Sequence, residues 1–138
     1  DLRTYFSKVF RNLNNEGVLV LDMMGGAEAI TDDSEEETEH DGFTYVWDQD
    51  YFDPVTHDCT FKIHFRFDDG SELKNAFTYN WRLWTLPEVQ EILKEAGFNK
   101  VEVYWEGADE DGEGNGKFSV VEHGECDPCW VSYVVASK

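Results

Sequence analysis

Residues 11–26 read RNLNNEGVLVLDMMGG, and they decide the fold because they join the end of a helix to a buried strand. Residues 2–13 carry apolar side chains at helical spacing, which predicts an amphipathic helix. Residues 14–17, NNEG, tolerate left-handed backbone geometry and end that helix. Residues 18–21 are continuously apolar, which is typical of a parallel strand covered on both faces. This order of elements indicates an α/β fold.

The charge of the chain is concentrated in two segments. The net charge is −19, and 13 of the 30 acidic side chains lie in residues 28–41 and 106–116, which contain no Lys or Arg. Because no basic patch is available to neutralise phosphates, we expect neither nucleic acid nor membrane as a partner. The three cysteines form no disulfide framework, which favours a reducing, cytoplasmic location.

The middle of the chain changes from acidic to aromatic. Residues 24–42 are Gly-rich and then acidic, and they are predicted to form a mobile loop. In TFKIHFRF, residues 60–67, apolar and polar side chains alternate strictly, which predicts a half-buried antiparallel strand. Aromatic segments of similar length precede and follow it, separated by turn residues. We therefore predict a three-stranded antiparallel meander over residues 43–84.

A second helix follows the meander, in TLPEVQEILKEAGF at residues 85–98. Thr85 is the expected N-cap, Glu88 completes a capping box, and Gly97 ends the helix. Strands are predicted over residues 100–106 and 129–137. A short strand at 117–122 and an acidic loop at 107–116 lie between them.

This order of elements resembles the C-terminal half of a class I S-adenosylmethionine-dependent methyltransferase. In that family the fifth strand follows a turn often written L-x-P-G-G, and residues 13–17 here read LNNEG. The helix before the sixth strand commonly reads T-x-x-E-x-x-x-L and then A-G-F, a rhythm that Thr85, Glu88, Ile92 and residues 96–98 follow. The resemblance implies half of a Rossmann-like sheet with an inserted β meander. The partial domain comprises a helix and strand (1–23), the acidic loop (24–42), the insertion (43–84), and a helix with a terminal hairpin (85–138).

The resemblance also implies S-adenosylmethionine as the cofactor of the full-length protein and a small molecule as the methyl acceptor. The Gly-rich loop that holds this cofactor in the family follows the first strand, and no equivalent is present, since Gly25 and Gly26 follow the fifth-type strand. We therefore expect residues 1–138 to be the rear half of a larger domain, without bound cofactor and inactive alone. We also expect self-association through the bare edge of the strand at residues 18–21.

Five side chains are candidate acceptor contacts, whereas no catalytic residue is predicted. Asp22 and Met23 stand at the carboxyl end of the buried strand, where open α/β sheets bind their ligands. Tyr79, Trp81 and Arg82 lie near the end of the meander, and an Arg among aromatic rings suits an anionic or planar substrate. The alternatives are a strand-capping role for Asp22 and a structural stacking or ion-pairing role for Arg82.

Two further patterns imitate metal sites. His123, Cys126 and Cys129 have the H-x-x-C-x-x-C spacing that zinc sites use, but Cys129 is expected to open a buried strand. Asp109, Asp111 and Glu113 imitate a calcium loop whose twelfth position is Val120 instead of Glu. We therefore predict no metal. The alternative function is a non-enzymatic module that binds a basic protein partner through its two acidic loops.

Overall fold

The computed structural model describes all 138 residues and divides them into two compact units. Residues 1–29 and 84–138 form the first unit, and residues 30–83 form the second. Each unit contains one four-stranded antiparallel sheet. In chain order, the helices and strands are α1 (Leu2–Asn12), β1 (Val18–Gly25), β2 (Ser34–His40), β3 (Phe43–Phe52), β4 (Asp58–Phe67), β5 (Glu72–Arg82), α2 (Leu86–Ala96), β6 (Lys100–Ala108), β7 (Gly114–Val121) and β8 (Trp130–Ser137).

The sheet of the first unit has the order β1-β8-β6-β7. The predicted terminal hairpin is confirmed, because β6 and β8 pair antiparallel with Val103 opposite Val134. Since β8 also pairs antiparallel with β1, the strands β1 and β6 run in the same direction on either side of it. The other edge of β1 has no neighbouring strand, as expected from the sequence.

The expectation that both faces of β1 are covered is wrong. Val18 and Val20 are 49% and 57% exposed, whereas Leu19 and Leu21, on the opposite face of the strand, pack against the core. The core contains helix and strand residues together, namely Phe6, Val89, Ile92, Leu93, Phe98, Val134 and Ala136. The two helices thus cover a single face of this sheet within residues 1–138.

Local signals placed both helices correctly. The Asp1 side chain accepts a hydrogen bond from the Arg3 backbone N–H at 3.0 Å and caps α1. In α2 the capping box predicted at Thr85 and Glu88 is present, with Thr85 N–H donating to Glu88 Oε2 at 2.9 Å. Gly97 ends α2 with φ of 108°, a left-handed value that favours glycine. Both α-helices have 11 residues, too few for an apolar crossing of a membrane.

The second unit is a meander of four strands in the order β2-β3-β4-β5, rather than three. The predicted strands are confirmed as β3, β4 and β5, but the prediction of a loop over residues 24–42 is wrong. Residues 28–30 form a short 3₁₀ helix, and the acidic run that follows is the strand β2. Arg66 on β4 contacts the carboxylates of Glu35 and Glu37, the latter at short range. This long-range compensation, together with pairing to β3, lets a strand rich in like charges form.

The acidic loop near the C-terminus is also shorter than predicted. Strand β6 continues to Ala108 and β7 begins at Gly114, so the connecting loop covers residues 109–113 rather than 107–116. The carboxylate of Asp109 accepts hydrogen bonds from the backbone N–H groups of Asp111 and Glu113 at 2.9 and 3.0 Å. Its oxygen therefore closes the hairpin.

We predict that Leu93→Ala lowers the free energy of unfolding by about 2–5 kcal/mol, because Leu93 is fully buried and its truncation leaves a cavity. The same truncation at Leu73, which is 51% exposed, should cost less than about 1 kcal/mol. Chemical denaturation followed by circular dichroism measures both. Equal losses for the two variants would contradict this assignment of the core.

Candidate functional site

Asp22 and Met23 are the fifth and sixth of the eight residues of β1 in the first unit, so the prediction that they stand at the carboxyl end of this strand is wrong. Their side chains point to opposite faces of the sheet. Met23 packs against the core. Asp22 is exposed and pairs in register with Tyr133 of β8. Of these two predicted side chains, only the Asp22 carboxylate is accessible to a ligand, on the outer face of this sheet.

Tyr79, Trp81 and Arg82 all lie on β5 in the second unit. The centroids of the Tyr79 and Trp81 rings are 4.5 Å apart, so the structure brings these two predicted residues together. The side-chain alternation of a strand places Arg82 on the opposite face, where it stands in register with Asp58. The prediction that Arg82 lies among these two aromatic rings is therefore wrong, because it is on the other face of the sheet.

Two further rings complete a cluster with Tyr79 and Trp81. The centroid of Phe61 lies 5.9 Å from that of Trp81, and the centroid of Trp47 lies 5.1 Å from that of Phe61 and 6.5 Å from that of Tyr79. We call Trp47, Phe61, Tyr79 and Trp81 the ring cluster. The alternation of residues 60–67 gave the face on which Phe61 lies. The cross-strand register that adds Trp47 has no local signal in the sequence.

The ring cluster rests on a buried polar support. Gln49 is 8% exposed and shares the face of the ring cluster, where it stands in register with Phe61. Its amide oxygen accepts a hydrogen bond from Trp47 Nε1 at 3.3 Å, and its amide nitrogen donates to the Thr31 carbonyl at 2.9 Å. Because these bonds fix the indole of Trp47, the ring cluster is held in place before any ligand binds.

The other face of the same sheet is charged. Glu35, Asp48 and His64 each present a potential ligand atom, and these three atoms lie within 4.8 Å of one another. His64 Nδ1 accepts a hydrogen bond from the Asn75 backbone N–H at 2.8 Å, so the proton of the neutral imidazole is on Nε2. Nε2 lies 3.0 Å from Asp48 Oδ2 and donates to it. Because Nε2 carries the proton and the lone pair of Nδ1 already accepts a hydrogen bond, His64 offers no open lone pair to a metal ion in this arrangement, and the group is a His–carboxylate pair.

The cysteines of the sequence pattern H-x-x-C-x-x-C precede β8 and are not buried in it. Strand β8 begins at Trp130, and both Cys126 and Cys129 are exposed, so the expectation that Cys129 opens a buried strand is wrong. Cys59 is the buried cysteine. It lies in the second unit, where burial raises the pKa of its thiol and its Sγ lies 3.6 Å from the Trp81 carbonyl oxygen.

Gly25 and Gly26, which follow β1, are required for packing. A Cβ atom on Gly25 would collide with the Trp130 indole, and one on Gly26 would collide with the Pro128 carbonyl oxygen. Gly26 also has φ of 104°, which disfavours other residues. A 3₁₀ helix of three residues follows them, so this pair is not a Gly-rich loop that opens an α-helix and cradles a phosphate.

Ser132 is a residue that the sequence pattern did not single out. It is fully buried on β8, and its hydroxyl has no hydrogen-bond partner. It pairs in register with Met23 on one side and with Trp105 on the other. An unsatisfied buried hydroxyl costs about 1–3 kcal/mol, so this polar atom stands beside the predicted site residue Met23 at a cost in stability.

Solved structures of methyltransferases share this fold. The chain is 13% identical to an S-adenosylmethionine-dependent methyltransferase from Clostridium acetobutylicum ATCC 824, with a TM-score of 0.58. It is 14% identical to the CcbJ methyltransferase from Streptomyces caelestis, with a TM-score of 0.61. In both comparisons 99% of this chain is covered, and it spans 50% of the length of the other chain. No protein-family model and no curated protein matches the sequence.

The fold of these 138 residues is thus that of half of an S-adenosylmethionine-dependent methyltransferase. The resemblance read from residues 13–17 and 85–98 is confirmed at the level of the fold.

We predict that Ser132→Ala raises the free energy of unfolding by about 1 kcal/mol, because it removes a buried hydroxyl without a partner. Ser137→Ala is the matched control, since Ser137 is only partly buried at the end of the same strand and its substitution should be nearly neutral. Thermal and chemical denaturation measure both variants. A loss of stability confined to Ser132→Ala would show that this hydroxyl has a partner.

Proposed function

We propose that residues 1–138 form the acceptor half of an S-adenosylmethionine-dependent methyltransferase that acts on a small molecule. The observation that carries this proposal is the pair of fold matches, which use nearly the whole chain and half of each methyltransferase. S-adenosylmethionine would be the cofactor of the complete enzyme. We place the enzyme in the cytoplasm because its three cysteines form no disulfide framework.

Methyl transfer places modest demands on this half of the enzyme. The methyl carbon is already activated by the sulfonium charge, so the protein mainly holds donor and acceptor in line for a direct displacement. In the second unit, the contacts that we assign to the acceptor are the rings of Tyr79 and Trp81. In the first unit, the Asp22 carboxylate is a separate candidate for a ligand contact. Met23 supports Asp22 from the core side of β1. Arg82, on the other face of β5, we assign to the structure of the meander.

The donor site is assigned outside these residues. The Gly25–Gly26 pair is occupied by contacts with Trp130 and Pro128, and no other Gly-rich loop joins a strand to an α-helix in residues 1–138. The chain alone is therefore expected to lack the binding energy for the cofactor.

We predict that residues 1–138 bind no S-adenosylmethionine at micromolar concentration in isothermal titration calorimetry, and release no S-adenosylhomocysteine. The complete open reading frame that contains these residues should bind the cofactor and release S-adenosylhomocysteine when an acceptor is present. Within that protein, Trp81→Leu should lower kcat/KM for the acceptor about tenfold while leaving the affinity for S-adenosylmethionine unchanged. Micromolar binding by residues 1–138 alone, or a complete protein without any cofactor binding, would overturn the proposal.

The isolated chain also has an edge strand, β1, that is able to pair with a strand of another chain. Strand β1 presents unpaired backbone groups along its free edge, and its exposed face carries Val18 and Val20. Asp22 is the only charged side chain in the strand. Unpaired, apolar edge strands readily add a strand from a second chain. We assign this edge to pairing with a second copy when the chain is alone.

We predict that the isolated chain sediments as a concentration-dependent dimer in analytical ultracentrifugation. Val20→Lys should weaken the dimer at least about tenfold, because a charge on an edge strand opposes pairing. Val55→Lys is the control, since Val55 is 89% exposed in the turn between β3 and β4. A monomer at all concentrations, or an equal effect of the two lysines, would contradict the assignment.

The alternative function, an acidic module for a basic partner, has less support. It relied on two acidic loops, whereas Glu35 and Glu37 are paired with Arg66 and Asp109 binds its own backbone. These carboxylates already serve the fold, which reduces the charge available to a partner.

A further inference from the structure

The ring cluster is buried at its centre and open to solvent on one side. Phe61 is fully buried at its centre, whereas Trp81 is 46% exposed, and Trp47 and Tyr79 are partly exposed. The rings come from three neighbouring strands, β3, β4 and β5, and lie on one face of the sheet. A ligand on this face therefore meets the surfaces of several aromatic rings at once.

A carboxylate stands beside the ring cluster. Glu36 on β2 is in register with Trp47 and shares its face of the sheet, and the structure records no ion pair for it. Its neighbours in the sequence, Glu35 and Glu37, lie on the other face and contact Arg66. Glu36 is thus the acidic group of β2 that is left for a ligand on the aromatic face.

The charge of this face has one sign. Lys62 and Arg66 alternate with the aromatic residues of β4 and lie on the opposite face, and Arg82 does the same on β5. The second unit as a whole has 14 acidic and four basic side chains, a net charge of −10. Burial, the neighbouring Tyr79 and the Glu36 charge together raise the pKa of the Tyr45 phenol on the same face. A negative field of this kind concentrates cations and repels anions.

From this arrangement we infer that the ring cluster with Glu36 recognises an organic cation, so that the acceptor of the proposed methyltransferase carries an ammonium group. That the cation is the methyl acceptor rests on the proposed function, whereas cation binding by the ring cluster does not. Aromatic faces attract ammonium groups through their quadrupole, and a nearby carboxylate adds charge attraction. An anionic or neutral planar ligand, which the grouping of Arg82 with the rings suggested, gains nothing from Glu36.

The inference is tested on the isolated chain with choline and its neutral isostere 3,3-dimethylbutan-1-ol, which have the same shape and differ in charge. Ionic strength is held constant with sodium chloride. The chain contains five Trp residues, each of which gives one indole N–H signal in a ¹⁵N-edited NMR spectrum. Choline should shift the signals of Trp47 and Trp81 saturably, with a Kd on the order of millimolar, and leave Trp84, Trp105 and Trp130 unmoved. The isostere should bind at least about tenfold more weakly.

Two variants separate the ring contribution from the charge contribution. Trp81→Leu should weaken choline binding about tenfold, and Glu36→Gln about threefold without disturbing any ring. Tyr5→Leu is the control, because Tyr5 is an aromatic residue of similar exposure on α1 in the first unit. Glu36→Gln also keeps the test valid if Trp81→Leu fails to fold.

Equal affinity for choline and its isostere would overturn the inference, as would binding that is unchanged in both variants. Neither result depends on S-adenosylmethionine. If residues 1–138 bind choline but the complete protein does not bind S-adenosylmethionine, the proposed function is wrong and the cation site is supported. If the complete protein transfers methyl groups but residues 1–138 do not bind choline, the proposed function is supported and the cation site is wrong.

Discussion

The first unit depends on one constraint, which is that its sheet buries only one face. Helices α1 and α2 are amphipathic and pack on that face through Phe6, Val89, Ile92 and Leu93. Alternate residues of β1 and β8 therefore divide into core residues and exposed valines. The position of Asp22 follows from the same alternation, because its neighbours Leu21 and Met23 are needed in the core. The Asp22 carboxylate within β1 is thus exposed by the packing of the residues around it.

The second unit uses the period of the β-strand differently. Its sheet carries aromatic side chains on one face and a charged network on the other, so each strand of the meander contributes to both. Neither face is made from one strand alone. Arg66 satisfies carboxylates from β2 and from β5, while the Trp47 indole is oriented by Gln49. The ring cluster is therefore rigid because it is part of a sheet whose polar groups are also satisfied.

The sequence predicted those features that depend on local chemistry. The capping box at Thr85, the left-handed Gly97 and the alternation of residues 60–67 each involve residues close together in the chain, and each is confirmed. The features that were missed are nonlocal. Strand β2 looked like a loop because five of residues 34–40 are Glu or His, and the Arg66 that compensates it is 29 residues beyond Glu37. Trp47 joins Tyr79 through a register across three strands. The exception is Arg82, because its position on the face opposite Trp81 follows from the local alternation of side chains along β5.

The acidic strand β2 also protects its sheet from the addition of a strand from another molecule. It lies at the edge, where an uncharged strand of the same length would offer a template for strand addition. Arg66 pairs with only two of the four glutamates of β2, so the strand keeps a net negative charge that repels an approaching strand. This protection depends on the glutamate side chains of β2. Glutamine in their place would remove the repulsion and leave an edge strand with open backbone groups, at which sheets from different molecules could join.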